Sequence, residues 1–322
     1  MFYNNGVFAS TGFNTPIIAV GNLSTGGTGK TPQTEYLIRL LTPIYRVAVL
    51  SRGYGRKSVG YVLADDTASA QTLGDEPFQF YTKFKDSIRV AVDANRVAGI
   101  TNLLNLSPKP EVIVLDDAYQ HRKVTAGFYI LLTAYGDIYA DDFILPAGNL
   151  RESRAGAKRA GVIVVTKCPP DISAEEQQQI INRLKPKQGQ QVFFSCIAYD
   201  DLVYGDGSTK SVADIKAEPK VLVAGIAKPQ PFYNHLKTDG DSIKTYPDHH
   251  DFTETEINEL IKLSETKTIV TTEKDYMRLK GRLPQGKLFY LPIKSRFITG
   301  GNDFDKTILN YVERSTANSR LH

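Results

Sequence analysis

The chain has 322 residues, with 39 Lys and Arg against 35 Asp and Glu and a net charge of +4; 41% of its residues are hydrophobic and 23% charged. These proportions exclude a disordered, collagen-like or low-complexity chain, and nucleic-acid binders concentrate basic charge far more than this. At roughly 150 residues per domain the length fits about two domains. Cys168 and Cys196 have neither a CxxC nor a metal spacing and read as reduced thiols of a cytosolic protein. The first basic residue is Lys30, which leaves no signal peptide, and no apolar run approaches the roughly 18 residues of a membrane span.

Along the chain a short β-branched run is followed by polar or glycine-rich residues and then by a helix-like stretch. The runs are 17–20, 47–50, 89–92, 112–115, 162–165, 221–223 and 268–270. Unbroken apolar runs of this length read as strands buried on both faces, and their alternation with helices predicts parallel sheets with right-handed crossovers. Ligands in such sheets bind beyond the carboxyl ends of the strands. Between about 171 and 220 the pattern weakens, with a helix at 175–184, a strand at 192–196 and turn signals at 200–208. This puts a domain junction near residue 200 and predicts a larger first domain, 1–200, and a smaller α/β domain, 201–322.

After the first run comes Ser24-Thr25-Gly26-Gly27-Thr28-Gly29-Lys30-Thr31, then a helix from Gln33 to Leu41. Strand, glycine-rich turn and helix in that order are what a Walker A loop requires. Backbone amides and the helix N-terminus would hold a β-phosphate, Lys30 would reach the β- and γ-phosphates, and Thr31 would ligate Mg²⁺. Ser24 occupies the place of the first consensus glycine. The nucleotide reads as ATP, because neither 166–169 nor 272–275 forms the N-K-x-D guanine motif. Thr25 stands where the partitioning ATPases carry a lysine before the glycine pair.

The run 112–115 ends in Asp116-Asp117, followed by Gln120-His121. Acids at the end of an apolar strand downstream of a phosphate loop form the Walker B arrangement, whose carboxylate holds Mg²⁺; a turn or helix cap is the bland alternative. Asp93 ends the run 89–92 at the same predicted edge, suited either to take an alcohol proton or to cap a helix. His249-His250 lies in a turn-rich segment flanked by Asp248 and Asp251. Arg151, Glu152, Arg154, Lys158 and Arg159 follow a turn and read either as a solvated face or as an anion site.

Taken in order, these blocks resemble the tetraacyldisaccharide 4'-kinase family, the lipid A 4'-kinases. The matching stretches are 20–23 with 26–32, 50–56, 74–77, 116–117 with 120–121, 145–148 with 150–152, 225–227, 248–249 and 272–275. The resemblance implies a P-loop NTPase-like, mostly parallel sheet flanked by helices, with a second α/β domain on a short β linker. It implies transfer of the ATP γ-phosphate, with Mg²⁺, to the 4'-hydroxyl of a tetraacyldisaccharide 1-phosphate, giving lipid IV-A. The enzyme would work peripherally at the cytoplasmic face of a Gram-negative inner membrane, without nucleic acid or an obligate protein partner. By the family pattern Asp93 looks like the base with His249, while Asp116, Asp117 and Glu152 look like site acids beside Gln120, His121 and Arg151. Two departures stand out. Ala118 replaces a glycine, which predicts a slightly shifted loop. Sixteen mostly neutral residues precede the first strand, where the family has a longer apolar and basic segment, so either the chain starts late or membrane contact uses another surface. The alternative from another class is a P-loop switch or ATPase that regulates a partner.

Overall fold

The computed structural model describes residues 9–248 and 250–320. They divide into two compact units: residues up to Ile197 together with Ser295 onward, and Ala198–Lys294.

In the first unit the elements follow as β1 (Ile17–Asn22), α1 (Lys30–Leu41), β2 (Val47–Ser51), β3 (Val62–Leu63), α2 (Ala70–Leu73), α3 (Asp75–Phe84), β4 (Ile88–Val92), α4 (Arg96–Leu104), β5 (Val112–Leu115), β6 (Phe128–Ala134), β7 (Val162–Thr166), α5 (Ala174–Leu184) and β8 (Gln191–Tyr199). After the second unit come β15 (Ile293–Thr299) and α10 (Gly301–Arg320), and the sheet order is β15-β8-β7-β6-β1-β5-β2-β4-β3. The pairs from β8 through to β4 are parallel, and β3 runs antiparallel to β4. Every residue of β1, β2, β5 and β7 is buried, as expected of strands covered on both faces by crossover helices. β6 is a central strand that the run-then-helix pattern did not pick out.

The second unit contains β9 (Leu202–Gly205), β10 (Ser208–Ser211), α6 (Val212–Ala217), β11 (Lys220–Ala224), α7 (Gln230–Leu236), β12 (Ser242–Thr245), α8 (Glu254–Ser264), β13 (Thr268–Thr272), α9 (Glu273–Leu279) and β14 (Leu288–Leu291). Its sheet has the order β10-β9-β14-β13-β11-β12 and packs around Leu222, Phe232, Val270 and Phe289. The architecture is α/β, and the chain passes between the units within β8 and β15.

The expected second domain of 201–322 needs correction at its end. The last segment returns to the first unit because Phe304, Ile308 and Val312 are fully buried in that unit's main core. The Tyr311 hydroxyl also donates to the Ile17 carbonyl at 3.1 Å, and Tyr36 donates to Asp305 at 2.8 Å. Among the described residues no helix is long and apolar enough to cross a membrane.

Candidate active site

β1 turns into the phosphate loop at Asn22. Gly26 and Gly29 adopt φ of 98° and 81°, a left-handed backbone that glycine enters without a Cβ penalty. Ser24 has no such φ, so a side chain is tolerated there; it is buried and pairs with Leu150 across an isolated bridge. The Thr25 amide donates to the Asn149 carbonyl at 2.7 Å, and the Arg151 amide donates to Leu23 O at 2.7 Å. The other side of the loop is held by Thr166, whose hydroxyl donates to Thr28 O at 2.8 Å, and by Lys167, which donates to Gly27 O. The Thr28 hydroxyl is buried without a partner among the described residues. Lys30 and Thr31 open α1, with Pro32 in the first turn, where its missing N–H costs nothing.

Asn22 is the hub. Its amide group donates to Ser24 O at 2.8 Å, and its Oδ1 accepts from Lys30 Nζ at 3.5 Å and Arg151 Nη2 at 3.4 Å. Lys30 Nζ also lies 3.7 Å from Asp117, as Arg151 does at 3.5 Å. Gln120 donates to Asn22 O at 2.7 Å and to Glu152 at 3.2 Å, and Glu152 accepts from Arg159 at 2.8 Å. The structure thus brings Lys30, Asp117, Gln120, Arg151 and Glu152 around one asparagine that sequence reading left without a role.

Asp116 ends β5 and is buried, accepting hydrogen bonds from Thr34 at 3.1 Å and Ser51 at 3.3 Å. Burial, then the charges of Asp117 and Glu76, push its carboxyl up to about 6, against the pull of Lys30 and Thr34. A bound cation would favour the charged form of a buried carboxylate that has a second acid beside it. Asp117 takes a left-handed φ of 44°, which is backbone strain at a non-glycine residue next to the site. The left-handed residue is therefore Asp117 and not Ala118, whose alanine side chain is buried without a positive φ. The loop lies close on β1: a Cβ on Gly21 would come 2.7 Å from Tyr119 Cβ.

Asp93 follows β4 at the same edge of the sheet, its amide donating to Ser51 O as the Asp116 amide donates to Leu50 O, both at 3.1 Å. At the usual strand spacing it lies two strands, about 10 Å, from Asp116. It does not cap α4; Asn95 does, and Asp93 Oδ1 accepts the Asn95 amide at 2.8 Å. Beside it Arg96 is almost fully buried, and among the described residues its Nε and Nη2 make no hydrogen bond. Burial lowers its pKa to about 10, against the pull of Asp116, Asp117 and Asp93. His121 is pushed down to about 4 by burial and by Arg96 and Arg52. Arg96 and Glu76 are site residues that sequence reading missed; Glu76 was visible only as part of the 74–77 block. Glu152 sits before a short 3-10 turn, Arg154–Arg159, rather than a full helix.

In the second unit His249 lies outside the described residues. Its neighbours are held by α9: Lys274 reaches Asp248 at 3.0 Å and Arg278 donates to His250 O at 2.7 Å. Asp275 is fully buried, accepting from the Gly225 amide at 2.8 Å and the Thr272 hydroxyl at 2.6 Å, while its Oδ1 has no partner among the described residues. His250 packs on Tyr246 and lies 2.9 Å from Glu256.

A phosphate loop, two strand-end acids and a basic rim can hold a magnesium nucleotide. Among the described residues no three His, Cys, Asp or Glu side chains gather as a cation cage. The family model for tetraacyldisaccharide-1-P 4'-kinase (LpxK) matches residues 1–313. The chain is 57% identical over 313 residues to the tetraacyldisaccharide 4'-kinase of Flavobacterium johnsoniae, covering 97% of this chain and 92% of that one. It is 43% identical to the enzyme of the same name from Bacteroides thetaiotaomicron, covering 98% and 89%. A solved structure of LpxK from Aquifex aeolicus in complex with ATP aligns with a TM-score of 0.75 and 30% identity, covering 97% of this chain and 93% of that one. The chain belongs to the tetraacyldisaccharide 4'-kinase family.

Proposed function

We propose that this chain is the lipid A 4'-kinase of its organism, transferring the γ-phosphate of ATP to the 4'-hydroxyl of a tetraacyldisaccharide 1-phosphate. The observation that carries the reading is the convergence of Lys30, Asp116 and Asp117 on one glycine-rich turn in a chain of this family. Lys30 and the loop from Ser24 to Thr31 hold the phosphates and offset the charge that spreads over the transferred group. Thr31, Asp116 and Asp117 would hold Mg²⁺, which when bound neutralises the β- and γ-phosphate oxygens. Asn22 and Arg151 keep Lys30 and Asp117 in register with the loop. Arg96, with two unused donors in a buried setting, is suited to an anionic oxygen. Asp93 accepts the hydroxyl proton, assisted by His249. The substrate carries four acyl chains, so the enzyme acts as a peripheral protein at the cytoplasmic face of the inner membrane.

The test is ATP consumption by the full chain with and without tetraacyldisaccharide 1-phosphate. A kinase turns ATP over slowly until the lipid is added and then yields one phosphorylated lipid per ATP. Hydrolysis that ignores the lipid would instead make the chain an ATPase or a nucleotide switch.

A further inference from the structure

In the first unit the large apolar side chains that stand exposed among the described residues are Ile44, Tyr54, Val59, Phe143, Ile144 and Leu145. All but Ile44 lie in loops that leave the carboxyl ends of β2 and β6, the edge of the sheet that carries the phosphate loop. Three are consecutive: Phe143, Ile144 and Leu145 are 63%, 49% and 51% exposed. A run of exposed apolar residues on a water-facing loop is a defect unless something covers it.

This tip is built. Asp142 folds its carboxylate inward onto the amides of Phe143 at 2.7 Å and Asn149 at 3.1 Å. Leu145 and Leu150 close the loop by backbone hydrogen bonds, and a Cβ on Gly148 would run into the Asp142 carboxylate and the Phe143 backbone. Arg154 donates twice to Asp142 O and lays its guanidinium 5.1 Å from the Phe143 ring centre. The two acids that directly precede the tip are engaged, Asp142 internally and Asp141 with Arg183, while Arg154 and Lys158 stand exposed beside it in sequence. The base of the loop is the segment 149–150, which bridges to Ser24 and receives the Thr25 amide, so the tip is tied directly to the phosphate loop.

The geometry points to a docking surface for an anionic lipid bilayer: Phe143, Ile144 and Leu145 enter the boundary between headgroups and acyl chains, with Arg154 at the level of the phosphates. Apolar side chains rimmed by basic ones bind such an interface through buried area plus charge attraction. The choice of a bilayer over another occupant rests on the proposed tetraacylated substrate, whose chains keep it in a membrane. The tip then sets the depth at which the phosphate loop meets the sugar headgroup.

The chain contains no tryptophan, so Phe143→Trp supplies a sole reporter at the tip. Vesicles of phosphatidylethanolamine with phosphatidylglycerol should shift its emission to the blue, and bromine-labelled lipids should quench it. An unchanged spectrum while the protein sediments with the vesicles overturns the assignment of this loop. The second variant is Phe143→Ser with Ile144→Ser and Leu145→Ser. Vesicle partitioning should fall by about tenfold or more, and turnover of vesicle-borne substrate should fall with it. Turnover of detergent-dispersed substrate should stay at the wild-type level. Equal loss in both assays, with vesicle binding intact, means the tip touches the acyl chains of the substrate and overturns the proposal. Tip-dependent self-association without vesicle binding does the same in favour of a second copy. Tip-dependent vesicle binding in a protein that phosphorylates no tetraacyldisaccharide would uphold the docking surface and reject the kinase reading.

Discussion

Asp116 and His121 lie on one loop and are perturbed in opposite directions, so the site has two opposing pH dependences. The folded His121 titrates near 4 against an ordinary 6.5. Between those values the unfolded chain binds a proton that the folded chain refuses, so this residue costs stability as pH falls from 6.5 to 4. Asp116 titrates near 6 against an ordinary 3.8, so the folded state holds the extra proton and stability falls as pH rises from 3.8 to 6. His121→Gln removes the first slope and leaves the second. Melting curves at a series of pH values should show the variant gaining on the wild type as pH drops through that window, and a constant difference would contradict the buried neutral imidazole. For catalysis, Lys30→Ala should lower turnover by about a hundredfold or more while leaving the melting temperature nearly unchanged. Asp93→Ala should lose turnover severely in the same assay with little change in KM, and a variant keeping more than about a third of wild-type turnover would count against Asp93 as the base.

The helix behind the phosphate loop is fixed by Glu35, which is 1% exposed and paired with Arg39 at 2.8 Å and Lys83 at 2.7 Å, with Gln79 donating at 3.0 Å. It ties α1 to α3, whose first turn carries Glu76. Lys83 is 15% exposed and Arg39 36%, so solvent screens part of the loss. Glu35→Ala should cost about 2–3 kcal/mol of unfolding free energy, measured in urea, because it deletes a buried carboxylate that accepts from Arg39, Lys83 and Gln79 at once. Elements whose function follows from one short signal were legible in the sequence. β1 with its glycine turn, and β5 with its two acids, are examples: a buried strand needs an unbroken apolar run, and the phosphate turn needs glycine where φ is positive. β6 was missed because a long loop, and not a helix, follows it, although its apolar run resembles the others. Arg96 was missed because a basic residue at a helix start looks solvated in sequence, and only the packing makes it buried. Asn22 was missed because its role is to join Lys30 and Arg151, which are 121 residues apart in the chain.

For the whole molecule, the C-terminal helix is part of the first unit's core. Burying Phe304, Ile308 and Val312 is worth about 2 kcal/mol each, or roughly 6 kcal/mol together, comparable to the entire stability of many domains. Deleting residues 300–322 should therefore leave the first unit unfolded or aggregated. Retention of a cooperative melt and ATP binding by that truncation would show that α10 is dispensable. The smaller unit, by contrast, is contiguous in sequence from Ala198 to Lys294. A ribosome finishes that inserted unit while the larger one still lacks its closing helix. Synthesis therefore reverses the customary order in which amino-terminal modules mature first: the larger unit cannot close its core until α10 has left the ribosome.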